Sequence, residues 1–175
     1  MKPGTTIFLI LCITASGCIS TDKSPENREK NLSVEVSRVV DGDTVEVVLN
    51  GSKEDIRLIG VDTPEVHVEV DPAEYEGIPT NETGEKCLEK WGEKASNYAK
   101  GRISGTVELE VSTNSGKIDR GSYDRILGEI WVNNTSFNRQ LVLDGYARSY
   151  STDGPYMREE VEAIRNNRGL WGCTG

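Results

Sequence analysis

Two short segments of the 175-residue chain together contain several acidic side chains and one arginine. The first, residues 40–44, reads Val-Asp-Gly-Asp-Thr, and the second, residues 56–65, reads Ile-Arg-Leu-Ile-Gly-Val-Asp-Thr-Pro-Glu. Each alone is typical of a turn or a strand exit. Together they bring Asp43, Asp62 and Glu65 to the ends of neighbouring strands, and hard oxygen ligands converging from two strand ends suit Ca²⁺. Their spacing is not that of an EF-hand, whose ligands lie within one short loop.

Strands and helices of regular pattern must position these side chains. Alternating β-branched and polar residues predict five short strands, at residues 33–40, 44–49, 55–61, 106–112 and 125–132, and Asn50-Gly51 predicts a hairpin turn. Helical spacing of apolar residues predicts helices at 85–103, 136–144 and 155–167, and a long loop is expected at 66–84. This pattern favours a β-barrel with helices, a five-stranded OB-fold with about three helices. An open α+β sheet is the alternative.

Composition excludes several classes of function. Charged residues make up 28% of the chain and hydrophobic residues 35%, which excludes a multi-span membrane protein. The single histidine, His67, excludes a mechanism that needs two histidines and is interpreted as an ordinary loop residue. The net charge of −9 argues against nucleic-acid binding by bulk charge alone. A nucleic-acid partner would therefore be bound by local groups and a cation.

The first residues have the features of a targeting segment. Lys2 precedes an apolar run at residues 7–13, which is too short to span a bilayer as a helix. Residues 14–18, Thr-Ala-Ser-Gly-Cys, resemble a prokaryotic lipoprotein signal, which predicts a signal peptide at 1–17 and lipidation of Cys18. An ordinary cleaved signal is the alternative. Residues 18–32 are predicted to be a flexible tether, and residues 33–175 the single domain, either secreted or lipid-anchored on the outer face of the cytoplasmic membrane.

The motifs resemble those of the staphylococcal nuclease family. The resemblance covers nearly all of residues 33–175, and its loop form is similar to that of archaeal members. It is carried by the sequences Asp-Gly-Asp-Thr (41–44), Arg-Leu-Ile-Gly-Val-Asp-Thr-Pro-Glu (57–65), Trp-Gly-Glu-Lys-Ala-Ser (91–96), Tyr-Asp-Arg-Ile-Leu-Gly-Glu-Ile (123–130), Gly-Tyr-Ala (145–147) and Gly-Leu-Trp (169–171). The family implies a calcium-dependent OB-fold phosphodiesterase that cuts DNA and RNA and leaves 3′-phosphates.

The resemblance also implies roles for individual residues. Asp43, Asp62 and the backbone carbonyl of Thr63 match the metal ligands, and Glu65 matches the carboxylate that activates water. Arginine forks suit the oxygens of a phosphodiester, where charge accumulates during hydrolysis. The two phosphate-binding arginines match Arg57 and Arg125, and the substrate-binding tyrosines match Tyr123 and Tyr150.

Three departures from the family pattern leave alternatives open. Asp124 stands where the family has glycine before the second arginine, so Arg120 is the alternative to Arg125. Tyr150 is also compatible with an ordinary core or surface tyrosine. The 66–84 loop is long and acidic. It is interpreted either as a solvated loop or as a segment that restricts the entry of polyanions or binds a second cation.

The four cysteines predict one disulfide. Cys12 leaves with the signal peptide and Cys18 would carry lipid, so Cys87 and Cys173 are left for the folded domain. A compartment outside the membrane permits a disulfide between them. Two free thiols are the alternative.

Two functions of different class are compatible with this pattern. One is a monomeric calcium-dependent nuclease acting on DNA and/or RNA. The other is a non-catalytic OB-fold module that binds nucleic acid or oligosaccharide. A binding module would be expected to present a basic, aromatic-rich face and would not need Glu65. The acidity of the chain and its complete carboxylate set favour the enzyme.

Overall fold

The computed structural model describes residues 31–66, 69–151 and 154–173. The predicted signal peptide at 1–17, Cys18, residues 18–30 of the tether and His67 therefore lie outside the described residues. Among the helices that are described, none combines the length and apolar character needed to cross a membrane.

Strands dominate the first half of the chain, and helices fill much of the second. In chain order the elements are β1 (Leu32–Val39), β2 (Thr44–Leu49), β3 (Ser52–Leu58), β4 (Val61–Asp62), α1 (Glu82–Arg102), β5 (Thr106–Val111), β6 (Thr113–Asn114), β7 (Lys117–Ile118), β8 (Ile126–Val132), β9 (Thr135–Ser136), α2 (Phe137–Leu143), β10 (Arg148–Ser149) and α3 (Met157–Arg165). Single 3₁₀ turns occur at Pro72–Glu74 and Gly169–Gly172, and Ser122–Asp124 forms a turn with positive φ at Tyr123 and Asp124.

The five longer strands close into a barrel. They are ordered β3-β2-β1-β5-β8, and β3 also pairs with β8 in parallel, which joins the two ends of the sheet. Alternate side chains point inward, so Val45, Ile56, Leu109 and Ile130 are fully buried in the barrel interior. The OB-like barrel with three helices is confirmed, and the open sheet is excluded.

The third strand differs from its prediction in a way that matters for the site. It begins at Ser52 instead of residue 55 and stops at Leu58, and the chain turns before the short β4. Gly60 makes this turn with φ of 76°, and a Cβ there would lie 2.7 Å from Pro155 Cγ. Because only glycine fits this position, the chain can redirect Asp62 away from the line of β3.

A second hydrophobic cluster lies outside the barrel. The 66–84 segment, predicted to be a long loop, contributes Val70, Tyr75 and Ile78 to it. These residues pack with others from α1, α3 and the C-terminal segment, namely Leu88, Ala163, Leu170, Trp171 and Cys173. Cys87 and Cys173 are joined by a disulfide, with their Cα atoms 5.8 Å apart. The segment therefore covers one side of the fold.

The helix boundaries differ slightly from the predicted ones. α1 begins at Glu82, three residues early, because Asn81 caps it by accepting hydrogen bonds from the backbone N–H groups of Thr83 and Gly84. Gly84, the last residue of the predicted loop, is required by packing, since a Cβ there would lie 1.9 Å from the Pro79 carbonyl oxygen. The other two helices are shorter than predicted by one or two residues at each end.

Candidate active site

Two nearly buried carboxylates meet at one end of the barrel. Asp43 lies in the turn between β1 and β2 and is 2% exposed, and Asp62 of β4 is 9% exposed. One guanidinium, that of Arg57 on β3, contacts both: Nη1 binds Asp43 Oδ1, and Nη2 lies 2.6 Å from Asp62 Oδ1. Thr63 donates to Asp43 Oδ2 from its backbone N–H at 2.9 Å and from its hydroxyl at 3.1 Å. We call Asp43, Arg57, Asp62 and Thr63 the carboxylate centre.

Glycines allow the chain segments of this centre to approach α1. A Cβ on Gly42 would lie 2.8 Å from Thr63 Cγ2 and 2.9 Å from Ala95 Cβ of α1. A Cβ on Gly92 would lie 2.6 Å from the Pro64 carbonyl oxygen. The two acidic segments are thus held against one face of α1, which fixes their relative position.

Glu65 ends the second acidic segment and differs from the two aspartates. Its side chain is exposed, and among the described residues no hydrogen bond or ion pair reaches its carboxylate. Its backbone lies close to α1, since its carbonyl oxygen would lie 3.0 Å from a Cβ on Gly92. Glu65 therefore offers a solvent-accessible carboxylate next to α1, three residues after Asp62.

The second predicted arginine lies beside the carboxylate centre. Arg125 Nη1 donates to Thr44 Oγ1 at 3.3 Å, and Thr44 Oγ1 in turn donates to Asp43 Oδ1 at 3.2 Å. Arg120 instead contacts Glu54 Oε2, at 3.2 Å from each of its two Nη atoms. The structure therefore brings Arg125, and not the alternative Arg120, next to Asp43.

An open cleft connects both arginines with one tyrosine. The cleft has a volume of about 250 Å³, and Arg57, Arg125 and Tyr150 are among its lining residues. Tyr150 is 65% exposed, and its backbone N–H donates to the Gly60 carbonyl at 3.1 Å. Tyr123 lies outside this cleft, 92% exposed, with its ring centroid 5.5 Å from Arg125 Cζ. We call Tyr123, Arg125 and Tyr150 the tyrosine rim.

One residue of the site was missed by the sequence motifs. Arg148 binds Asp62 Oδ2 through Nε at 3.1 Å and Nη2 at 2.8 Å, and its Nη2 also lies 2.8 Å from Glu74 Oε2. Burial alone would lower the pKa of Arg148, but the charges of Asp62 and Glu74 raise it above its usual value. Arg148 directly follows the Gly-Tyr-Ala motif at 145–147, so that motif could have drawn attention to it.

The donor set of the carboxylate centre fits a hard divalent cation. Within the described part of the chain, no three acidic, histidine or cysteine side chains gather to form a metal cluster. Two carboxylates do converge closely enough for the guanidinium of Arg57 to contact both, so a positive group already lies between them. Ca²⁺ accepts such carboxylates together with backbone carbonyls and water, and the Thr63 carbonyl is the backbone candidate.

Comparisons with known proteins agree with one another. The family model described as "Staphylococcal nuclease homologue" matches residues 55–173. An uncharacterized protein of Methanocaldococcus jannaschii is 38% identical over 98% of this chain and 95% of its own length. A thermonuclease of Staphylococcus intermedius is 29% identical over 98% of the chain and 99% of its own length. An endonuclease of Bacillus subtilis, YncB, is 28% identical over 86% of the chain and 66% of its own length.

Proposed function

The chain belongs to the staphylococcal nuclease family, and we therefore propose that it is a calcium-dependent nuclease acting on DNA and/or RNA and leaving 3′-phosphate ends. One observation carries the proposal: two nearly buried aspartates converge on a single cationic group, Arg57, which also lines an open cleft. A phosphodiester in that cleft would meet a divalent cation and two arginines at once. Such a set of charges counteracts the repulsion between the phosphate and an attacking hydroxide.

The carboxylate centre supplies the cation site in this proposal. Asp43, Asp62 and the Thr63 carbonyl would hold Ca²⁺, which when bound would withdraw charge from the phosphate oxygens. The guanidinium of Arg57 would then exchange its aspartate partners for the phosphate. The same two-point fork suits both partners, because carboxylate and phosphate present paired oxygens of similar spacing.

Glu65 and Arg125 have complementary roles in hydrolysis. Glu65 is exposed, so its carboxylate can accept a proton from a water molecule that attacks phosphorus. Arg125 lines the cleft and would bind the non-bridging oxygens, where negative charge grows in the transition state. Tyr150 in the same cleft, and Tyr123 beside Arg125, would contact the sugar or base of the substrate.

We also propose that the enzyme is an archaeal-type secreted or lipid-anchored monomer. The leader sequence supports export, and the disulfide between Cys87 and Cys173 suits an oxidising compartment. A lipid on Cys18 would keep the domain on the outer face of the cytoplasmic membrane. Replacement of Cys18 by serine should then release the protein from membranes, whereas equal membrane partition of both forms would contradict lipidation.

Nuclease activity is tested directly with purified protein. Plasmid, single-stranded DNA and RNA are each incubated in calcium and in excess chelator, and the product ends are tested for phosphatase-sensitive 3′-phosphate. We expect cleavage that requires calcium and that is lost in Asp43→Ala and Asp62→Ala, both of which should also bind calcium more weakly. Full cleavage in chelator would contradict the metal site. Binding of nucleic acid without any cleavage would instead support the non-catalytic OB-fold module.

A further inference from the structure

The two oxygens of the Asp62 carboxylate have different partners. Oδ1 faces the inside of the carboxylate centre and is bound by Arg57 at 2.6 Å. Oδ2 is bound by both Nε and Nη2 of Arg148. This second contact follows from strand pairing, because Arg148 of β10 lies directly opposite Asp62 of β4 in an antiparallel ladder. Within the described residues, Arg148 is thus the only residue whose side chain binds Oδ2, and it lies 86 residues after Asp62 in the chain.

Arg148 is itself fixed on more than one side. Its Nη2 binds Glu74 Oε2 at 2.8 Å, and its Cζ lies 5.3 Å from the ring centroid of Tyr75. Tyr75 is 3% exposed, and its ring centroid lies 6.5 Å from that of Trp171 in the second hydrophobic cluster. Glu160 of α3 accepts a hydrogen bond from the backbone N–H of Ser149 at 3.1 Å, next to Arg148 in β10. The guanidinium therefore has little freedom to leave Asp62.

We infer that Arg148 is a positioning residue for the cation site, and that Glu74 of the acidic loop holds it in place. By binding Oδ2, Arg148 fixes the plane of the Asp62 carboxylate so that Oδ1 stays directed at the cation. Glu74 balances the charge of Arg148, so that the guanidinium repels the cation less. The inference rests on the proposed function, because it concerns the calcium site of that nuclease.

The physical reason is the rotational freedom that a metal-binding carboxylate loses when the cation binds. A carboxylate that can rotate must lose that freedom each time the cation binds, whereas one held by an outer partner has already lost it. Partners that orient metal ligands are worth about 10-fold to 100-fold in metal affinity. This inference also separates Glu74 from the other acids of the loop. Glu76, two residues along the chain, is exposed, and within the described part of the chain no hydrogen bond or ion pair joins it to another side chain.

The decisive variant is Arg148→Lys, which keeps the charge and removes the fork. Calcium chloride is titrated calorimetrically into the full-length protein without nucleic acid, and the melting temperature is measured without calcium. We expect the calcium dissociation constant of Arg148→Lys to rise about 10-fold or more. Addition of calcium should then raise the melting temperature of the variant less than that of the wild type, a difference that a purely structural role would not produce.

A second pair of variants tests Glu74 and does not require any change to Arg148. Glu74→Gln and Glu76→Gln each remove one negative charge from the same loop, so Glu76→Gln is the control for loss of charge there. We expect Glu74→Gln to weaken calcium binding by about 3-fold more than Glu76→Gln, because only Glu74 contacts Arg148.

The outcomes separate this inference from the proposed function. A wild-type protein that binds no calcium would overturn the metal site, and this inference with it. Wild-type binding that Arg148→Lys leaves within about twofold would overturn the positioning role of Arg148 alone. Equal affinities of Glu74→Gln and Glu76→Gln would remove Glu74 from the inference.

Discussion

The carboxylate centre and the tyrosine rim lie next to each other but are built in opposite ways. In the centre, Asp43 and Asp62 are at most 9% exposed and are held by side chains from neighbouring strands. In the rim, Tyr123 is 92% exposed and has a φ of 58°, and Asp124 after it has a φ of 61°. The two regions are joined by the Thr44 hydroxyl, which contacts both Arg125 and Asp43. Charge is thus fixed where a cation and phosphate would bind, and the surface that would meet the variable part of a substrate is open.

This difference predicts a larger loss for Arg57 than for Arg125. Arg57→Lys keeps the charge but loses the contact with two carboxylates, and the rate should fall by about 1,000-fold. Arg125→Lys should lower the rate by about 100-fold, because Arg125 makes one hydrogen bond to each of two uncharged partners, Ser122 and Thr44, and is partly exposed. Single-turnover rates on a short DNA substrate measure both. If Arg125→Lys cleaves at the wild-type rate and Arg120→Lys cleaves slowly, the assignment of the second arginine is wrong.

Glu65→Gln tests whether an exposed group beside the centre takes part in the chemistry. Glutamine keeps the shape of the side chain but is no longer a base, so the rate should fall by about 100-fold or more. Calcium affinity, measured by calorimetry, should change much less than in Asp43→Ala or Asp62→Ala. A rate equal to that of the wild type would reduce Glu65 to a passive role.

The tyrosines should show smaller effects that lie in substrate binding. Loss of one stacking ring costs about 1–3 kcal/mol per base in single-strand binding, and the exposed position of Tyr123 and Tyr150 favours the low end. We therefore expect Tyr123→Ala and Tyr150→Ala to raise KM by about 5-fold to 10-fold with kcat nearly unchanged. Exposed side chains contribute little to folding, so denaturant unfolding should shift by less than about 0.5 kcal/mol. A large loss of stability in Tyr150→Ala would favour a packing role instead.

Thr44→Val gives the smallest expected effect and tests the link between the two regions. Valine has nearly the shape of threonine but lacks the hydroxyl that accepts from Arg125 and donates to Asp43. Both partners of the hydroxyl are charged, but the two hydrogen bonds are long, at 3.3 and 3.2 Å, so their loss should cost only about 1 kcal/mol and lower the rate about 5-fold. In the Arg125→Lys background the same change should have a weaker effect, which a double-mutant cycle would measure. Fully additive effects would show that the two regions act independently.

Local pattern made most of the barrel and the carboxylate centre predictable. The strand alternation and the Asn50-Gly51 turn depend on neighbouring residues, and Asp43, Arg57 and Asp62 all lie within 20 residues at the ends of such strands. Arg148 was not predictable in the same way, because its role depends on the pairing of β10 with β4, which are 86 residues apart. The motif at 123–130 favoured Arg125 but left Arg120 open, because sequence alone did not show the left-handed turn at Tyr123 and Asp124 that directly precedes Arg125.

The acidic loop shows a different limit of sequence pattern. Val70, Tyr75 and Ile78 are buried, but they are separated by prolines, glycines and acids and so follow neither helical nor strand spacing. They are buried against Trp171 and Cys173, which lie at the other end of the chain and which the disulfide to Cys87 links to α1. Glu74 likewise resembles its acidic neighbours in sequence and differs from them through its contact with Arg148.

The disulfide between Cys87 and Cys173 also determines what happens when a protease cuts the chain. It closes a covalent ring across a sequence separation of 86 residues, and this ring contains the exposed hairpin of β6 and β7. A single cut at Gly116 would separate Asp43 and Arg57 from Arg125 along the backbone, but the bond would keep the two fragments in one molecule. Because β8, on the second fragment, pairs with β3 and β5 on the first, the barrel could stay assembled after the cut. A chain cut once in this hairpin would thereby remain one molecule, whereas the same cut in a barrel without the disulfide would leave two fragments with no covalent bond between them.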